Sequence, residues 1–477
     1  MTVLADAPVP PLPAPLSPYR YLWPRIELDR SVWRAEGTGD AFHRAMPEST
    51  EELALDSRWP VLFPSPICLA TTGDGSSAAL EKVVGASIVN RFPYIVALSF
   101  CRRPLSARHY VRSGFMEALE RNAEVAVQFL APGEALDRAM DAILNVPDDQ
   151  VGERIARAGL PVRPNRTNRA PRFTDAYLVY EARLVRPGHD FERVAIHAEP
   201  WTDAGSHRIY YFEITAIQLR HDIAQGRSQI HWRSLPTWQP GPSFHRARRA
   251  ETASKGAAYQ KPYAPLYRFP SSGTVAFESD EVRDGMAIKY LPPLPEDQVE
   301  VNNDRARWPC FFPSSVGMIT TWAEDGVPNV MPCGSTTIVS RHPMIVTPCV
   351  SYAAINDRYA PRATLDSIRR TGRFGCGVPF IEETVLSAIK YCGNVSVTAN
   401  RDKVRESGLE IEPSEWAPIP TALPIYFECE VTGEVRLGTH IMFLGEVKRI
   451  RVRADVTPDR PLEWCGWADV RATESAR

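Results

Sequence analysis

Apolar runs of four to eight residues alternate with turn-forming residues along most of the chain, and the C-terminal half resolves most clearly into elements. Residues 316–322 form a β-rich apolar run that stops at Ala323-Glu324-Asp325-Gly326, where the Asp-Gly pair signals a hairpin. Further strands are predicted at 327–339, 344–350 and 375–378. A helix is predicted over 364–371, with Leu365 and Ile368 apolar and Arg369 and Arg370 near its end, where cations complement the helix dipole. A second helix is predicted over 382–391, with Val385, Ala388 and Ile389 on one face. Long strands at 425–431 and 441–452 follow. Many antiparallel strands with a few short helices predict a mainly β barrel or sandwich, not a doubly wound parallel sheet.

The pattern occurs twice. Arg58-Trp59-Pro60 and a following LFPSP reappear as Arg307-Trp308-Pro309 and FFPSS, 249 residues on. Asn145-Val146 and Asn394-Val395 keep that offset, and His207 and Glu213 match His440 and Glu446. Units this long are domains rather than solenoid repeats. The expected organisation is a Pro-rich leader at 1–17, repeat one at 18–235, a polar linker at 236–264 and repeat two at 265–477. Two related domains in one chain imitate a two-fold dimer, so an intramolecular pseudo-dimer is expected, with further homodimerisation left open.

Composition narrows the function classes. A net charge of −2 supplies no field to recruit nucleic acid or an anionic membrane. The start lacks the basic and apolar regions of a secretory signal, and no apolar stretch is long enough to span a bilayer. The nine cysteines show no CxxC pair and no zinc-like spacing, so no metal is expected. They read as buried thiols of a reducing, cytoplasmic compartment. Neither a GxGxxG turn nor a GxxxxGK[ST] loop occurs, which removes the usual dinucleotide and P-loop phosphate sites.

Four segments of repeat two, PNVMPCGSTTIVSRHPMIV, RATLDSIRRTGRFGCGVPF, CGNVSVTANRDKVRESGL, and PIYFECEV followed by LGTHIMFLGEV, resemble in order and spacing the flavin reductase-like, FMN-binding split-barrel family, in particular its flavoredoxin-like branch. The resemblance implies two fused split β-barrels, an FMN cofactor at the domain interface, NAD(P)H as reductant, and either a small organic substrate or a partner monooxygenase that takes reduced flavin. A flavoredoxin-like electron carrier and a barrel repurposed for haem or another ligand are the alternatives, since sites and not folds carry function.

The candidate cofactor residues are Ser335, Thr336, Thr337, Arg362 and Thr364. A flavin phosphate lacking a glycine-loop cradle needs side chains to neutralise it. Arg362 offers a planar fork of donors and Thr364 a hydroxyl at the start of a helix, where the dipole also favours an anion. The hydroxyl run 335–337 suits ribityl and ring hydrogen bonds. Thr364 as a plain helix cap and the hydroxyl run as strand propensity are the bland alternatives. His440 is the catalytic candidate, because the resemblance places a histidine here near the open face of the flavin; a surface-loop histidine is the other reading. Asp402-Lys403 reads as a structural ion pair, Cys392 and Cys429 as core thiols, and Glu428 as solvent-facing by strand alternation. In repeat one, Gly85-Ala86-Ser87 replaces the hydroxyl run, and Arg112-Ser113-Gly114 stands for Arg362-Ala363-Thr364. Repeat one is therefore expected to hold a degenerate site and to serve as a wall over a flavin bound by repeat two.

Overall fold

The computed structural model describes residues 67–225, 277–291 and 316–453 apart from short breaks, together with strand segments at 19–22, 30–34, 41–45, 231–233 and 266–268. The expected leader, the expected linker and both Arg-Trp-Pro motifs lie outside the described residues.

The first half contributes β1 (Cys68–Thr72), β2 (Ala79–Val83), β3 (Gly85–Arg91), β4 (Tyr94–Cys101), α1 (Gly114–Asn122), β5 (Glu124–Leu130), α2 (Glu134–Asn145), α3 (Arg154–Ala158), β6 (Ala176–Leu184), β7 (Trp201–Ala204) and β8 (His207–Arg220). Strand β9 (Met286–Tyr290) follows. The second half contributes β10 (Gly317–Trp322), β11 (Pro328–Cys333), β12 (Thr336–Arg341), β13 (Met344–Ser351), α4 (Ala363–Thr371), β14 (Arg373–Val378), α5 (Glu383–Asn394), α6 (Lys403–Glu406), β15 (Ile425–Leu437) and β16 (His440–Arg453). The fold is mainly β with short helices, as the pattern predicts. The hairpin at Gly326 forms with a left-handed φ of 75°, and the predicted long strand 327–339 breaks into β11 and β12.

The two halves have one topology. The first sheet runs β2-β1-β5-β6-β8-β4-β3 and the second β11-β10-β14-β15-β16-β13-β12, with antiparallel pairing throughout. Both carry a bulge at matching places, Ile88/Asn90 and Ile338/Ser340, which bends each strand. Each sheet also takes a strand from elsewhere in the chain. β9 pairs along the end of β8, and the strand Tyr19–Leu22 pairs along the corresponding end of β16.

The halves meet through β3 and β12. A Cβ on Gly85 would lie 2.1 Å from the carbonyl oxygen of Ile338, so only glycine permits this approach. The Ser99 hydroxyl donates to the Val339 carbonyl. Around them, Val89, Ile95, Ile209 and Tyr211 pack with Val339, Ile345, Met442 and Leu444 in one buried cluster. These sets occupy equivalent strand positions in the two halves, so the contact surface is close to self-complementary.

Gly85→Ala should destabilise the chain by about 1–3 kcal/mol, because backbone rather than a movable side-chain tip blocks the added methyl. Gly152→Ala, where the nearest atoms to an added Cβ are 3.9 Å away, should be near neutral. Equilibrium urea unfolding of both variants checks this, and equal effects would contradict it.

Candidate functional site

Helix α4 begins beside the end of β13. Arg362 is its N-cap, with extended backbone (φ −92°, ψ 131°) and an exposed side chain. The Arg362 N–H donates to the Ser351 carbonyl at 3.2 Å, and the Leu365 N–H donates to the Arg362 carbonyl at 2.8 Å. The guanidinium thus stands at the positive end of a nine-residue helix.

Within the first turn, Thr364 is buried and does not cap the helix. Its hydroxyl accepts a hydrogen bond from Asn329 Nδ2 at 2.9 Å, which leaves the hydroxyl hydrogen to donate. Asn329 Oδ1 accepts from Lys403 Nζ at 3.1 Å, and the same ammonium donates to the Cys392 carbonyl at 3.3 Å. Lys403 is only 3% exposed. Among the described residues no carboxylate lies within ion-pair distance of it. The expected Asp402–Lys403 pair is not formed: Asp402 faces Arg405 at 3.1 Å on the surface, while Lys403 turns inward from the first turn of α6. Burial pushes the Lys403 ammonium below the ordinary lysine value; Cys392 opposes this and the charge of Arg362 adds to it. Two cations therefore share one neighbourhood with only neutral acceptors between them.

The hydroxyl run divides. The Thr336 hydroxyl donates to the Cys333 carbonyl at 3.0 Å, and Cys333 itself lies within the field of Arg362. Half-buried Ser335 gives its carbonyl to the Cys349 N–H at 3.1 Å. Thr337 sits at the boundary between the halves, where its Oγ1 would lie 3.3 Å from a Cβ on Gly85. Thus Arg362 and Thr364 belong to one cluster, Ser335 and Thr336 flank it through Cys333, and Thr337 faces the other half.

His440 opens β16 directly across from Ser351, the residue whose carbonyl holds Arg362. Its Nδ1 lies 2.7 Å from Thr439 Oγ1 and 3.3 Å from Asn90 Oδ1 of the other half. The Thr439 N–H donates to Asn90 Oδ1 at 3.0 Å, and the Thr439 hydroxyl donates to the same oxygen at 2.6 Å. With the threonine hydrogen committed, Nδ1 of His440 is the donor to Thr439, so Nε2 is the nitrogen able to accept a proton in the neutral ring. His440 is half-buried and held from both halves, unlike a loose surface-loop histidine.

A family model described as the flavin reductase like domain matches residues 309–469. The C-terminal half carries a flavin reductase like domain. No curated protein matches the chain. Among solved structures, the chain is similar to nitrilotriacetate monooxygenase component B from Bacillus cereus, at 19% identity over 36% of this chain and 87% of that one (TM-score 0.31). It is also similar to flavoredoxin from Methanosarcina acetivorans, at 21% identity over 29% and 68% (TM-score 0.25). A third is an FMN-binding protein from Thermus thermophilus with bound p-hydroxybenzaldehyde, at 18% identity over 33% and 81% (TM-score 0.27).

The N-terminal half repeats the strand order of the C-terminal half, and near the matching places its cations are paired with carboxylates. The N-caps align Ser113 with Arg362, so Arg112 stands one position earlier than the sequence pairing placed it. Ser113 is a true cap that accepts the Met116 N–H at 3.2 Å, and Arg112 pairs with Glu120 at 2.8 Å. Ala79 takes the place of Asn329 in the strand register. Arg154 opens α3 where Lys403 opens α6, and it pairs with Glu81 at 2.6 Å.

In the C-terminal half Glu428 is buried and not solvent-facing as expected, Lys403 belongs to the site and not to a pair with Asp402, and Asn329 joins the site with no expectation attached to it. Glu428 is 1% exposed because residues 411–420 cover the second face of β15; the Ser414 hydroxyl donates to it at 2.6 Å, and burial raises its pKa. A lysine beside an exposed aspartate carries no local sign of facing inward. The expected core positions of Cys392 and Cys429 are observed.

Lys403→Met should melt no lower than the parent protein in the absence of anions, because it removes a buried charge that lacks a carboxylate partner. A folded-state pKa below the unfolded value near 10.5 means the native state releases its proton first. The penalty carried by the parent should therefore shrink as pH rises toward that value, and the gap between the two proteins should close. Inorganic phosphate should raise the melting temperature of the parent and not that of the variant. Thermal melts across pH, with and without phosphate, check both points.

Proposed function

We propose that this chain is an FMN-dependent oxidoreductase, with the flavin phosphate anchored by Arg362, Lys403 and Thr364. One observation carries the reading: two cations without carboxylate partners among the described residues converge through Asn329 and Thr364 at a helix N-terminus, while in the other half Arg154, at the place of Lys403, pairs with Glu81, and Arg112, one position before the place of Arg362, pairs with Glu120. A phosphate dianion matches this donor set in charge and in hydrogen-bonding capacity. Ser335, Thr336 and Thr337 would line the path from that anchor toward the boundary between the halves. Once bound, FMN would supply electron transfer from reduced nicotinamide, either to a small organic substrate or through reduced flavin to a partner oxygenase.

The protein's own part is binding, orientation and proton handling. Arg362 and Lys403 neutralise the phosphate, and Asn329 fixes the ammonium against Thr364. His440 presents Nε2 as a proton acceptor or, once protonated, as a donor, with its ring angle set by Thr439 and Asn90. We further propose that residues 18–235 and 265–477 form a pseudo-dimer about an approximate two-fold axis, the first serving as the wall of a cavity whose cofactor the second holds.

Arg362→Ala should weaken FMN about ten- to a hundredfold, the loss expected of one charge-assisted hydrogen bond, and should leave riboflavin almost unchanged. Arg362→Lys should recover only part of the loss, because a point charge cannot reproduce the fork. Fluorescence titration with both ligands decides this; an unchanged FMN affinity would end the assignment.

Titration of the parent protein should reach one FMN per chain, since the second set of cations is already neutralised. Two equivalents of similar affinity would refute that stoichiometry. NADH or NADPH consumption by the flavin-loaded protein separates an oxidoreductase from a passive electron carrier.

A further inference from the structure

The first half holds a nucleophile constellation at the place where the second half holds Ser351 and His440. Cys101 ends β4 directly across from His207 at the start of β8, as Ser351 lies across from His440. Cys101 Sγ lies 3.2 Å from His207 Nε2, and Ser206 Oγ lies 2.8 Å from His207 Nδ1. His207 is 2% exposed, whereas Cys101 is a thiol at the surface. A base of fixed orientation thus touches a sulfur that solvent can reach, the geometry that activates a nucleophile.

We propose that Cys101 is an activated thiol that exchanges with small-molecule disulfides, with His207 as its base and Ser206 as the residue that positions His207. With Nδ1–H donated to Ser206, the Nε2 lone pair faces the thiol hydrogen. His207 takes that proton, and the Cys101 sulfur attacks one sulfur of a disulfide R–S–S–R. The new Cys101–S–S–R bond forms as the reagent's S–S bond breaks. The departing thiolate takes the proton from the imidazolium and leaves as R–SH. Cys101 is oxidised, the departing sulfur is reduced, and the disulfide is the oxidant.

The surroundings favour the thiolate. Arg102 follows Cys101 and donates to the Gly205 and Tyr110 carbonyls, with Asp203 of β7 at 3.7 Å. Arg103 comes next and is exposed. Arg208 on β8 pairs with Asp203 at 2.6 Å and with Glu120 of α1 at 2.8 Å, and Arg112 also pairs with Glu120. Glu117, in the first turn of α1, lies within the field of Arg112. Among the described residues, Asp203 and Glu120 are thus engaged by arginines. The contrast with the core is sharp: Cys68, Cys376 and Cys429 are buried, and burial pushes their thiols well up.

The full chain treated with the chromogenic dithiobis(nitrobenzoate) disulfide should release one equivalent of thiolate in a fast phase that Cys101→Ser lacks. His207→Gln should slow that phase about tenfold or more, as expected when a thiol loses the partner that lowers its pKa, and Ser206→Ala should slow it less. Iodoacetamide labelling of Cys101, followed by peptide mass across pH, should plateau below the ordinary thiol value of about 8.5 in the parent protein. In His207→Gln the plateau should move up to that value. If His207→Gln does not fold, the parent's own labelling profile decides. A fast phase that survives in Cys101→Ser, or Cys101 labelling that follows an ordinary thiol's pH dependence in the parent protein, would overturn the proposal.

Discussion

The close approach of β3 and β12 at Gly85 is the constraint on which the rest of this molecule depends. Removing a side chain there lets two backbones touch, and that contact brings the two sheets near enough to share a buried apolar cluster. It also lets Asn90 of one half reach the Gly438–Thr439 turn of the other and fix the ring of His440. A polar side chain buried at a domain boundary costs free energy unless its hydrogen bonds are met. Asn90 meets them with the Pro93 carbonyl on one side and Thr439 on the other. The boundary is therefore a specific fit and not a generic apolar contact.

The two halves share a strand order but differ in electrostatics. One half joins Arg154, at the place of Lys403, and the neighbouring Arg112 to carboxylates, whereas in the other half Lys403 and Arg362 have no carboxylate partner among the described residues. The first arrangement favours the folded chain by itself. The second holds buried positive charge that an arriving anion would satisfy, so a cost in the apoprotein becomes affinity in the complex. The same divergence appears at the start of the last strand of each half. A histidine held at Nδ1 by a neighbouring hydroxyl is retained, and the residue across from it is Ser351 in one half and Cys101 in the other.

The sequence by itself determined the element pattern of the second half, the mainly β class, the repeat and the location of Arg362 and Thr364 at a helix start. These follow from local periodicity, turn residues and caps, which act over a few positions. Only tertiary structure decided that Lys403 faces inward, that Asn329 bridges it to Thr364, that Asn90 crosses between halves, and that Glu428 is buried. Each depends on segments far apart in sequence. Residues 411–420 cover a strand face that alternation alone would expose, and α6 is set so that its lysine points under β11 and not toward its neighbour Asp402. The helix register likewise placed Ser113, and not Arg112, opposite Arg362, since a one-residue slip is invisible to sequence matching but is settled by which backbone groups the helix leaves uncapped.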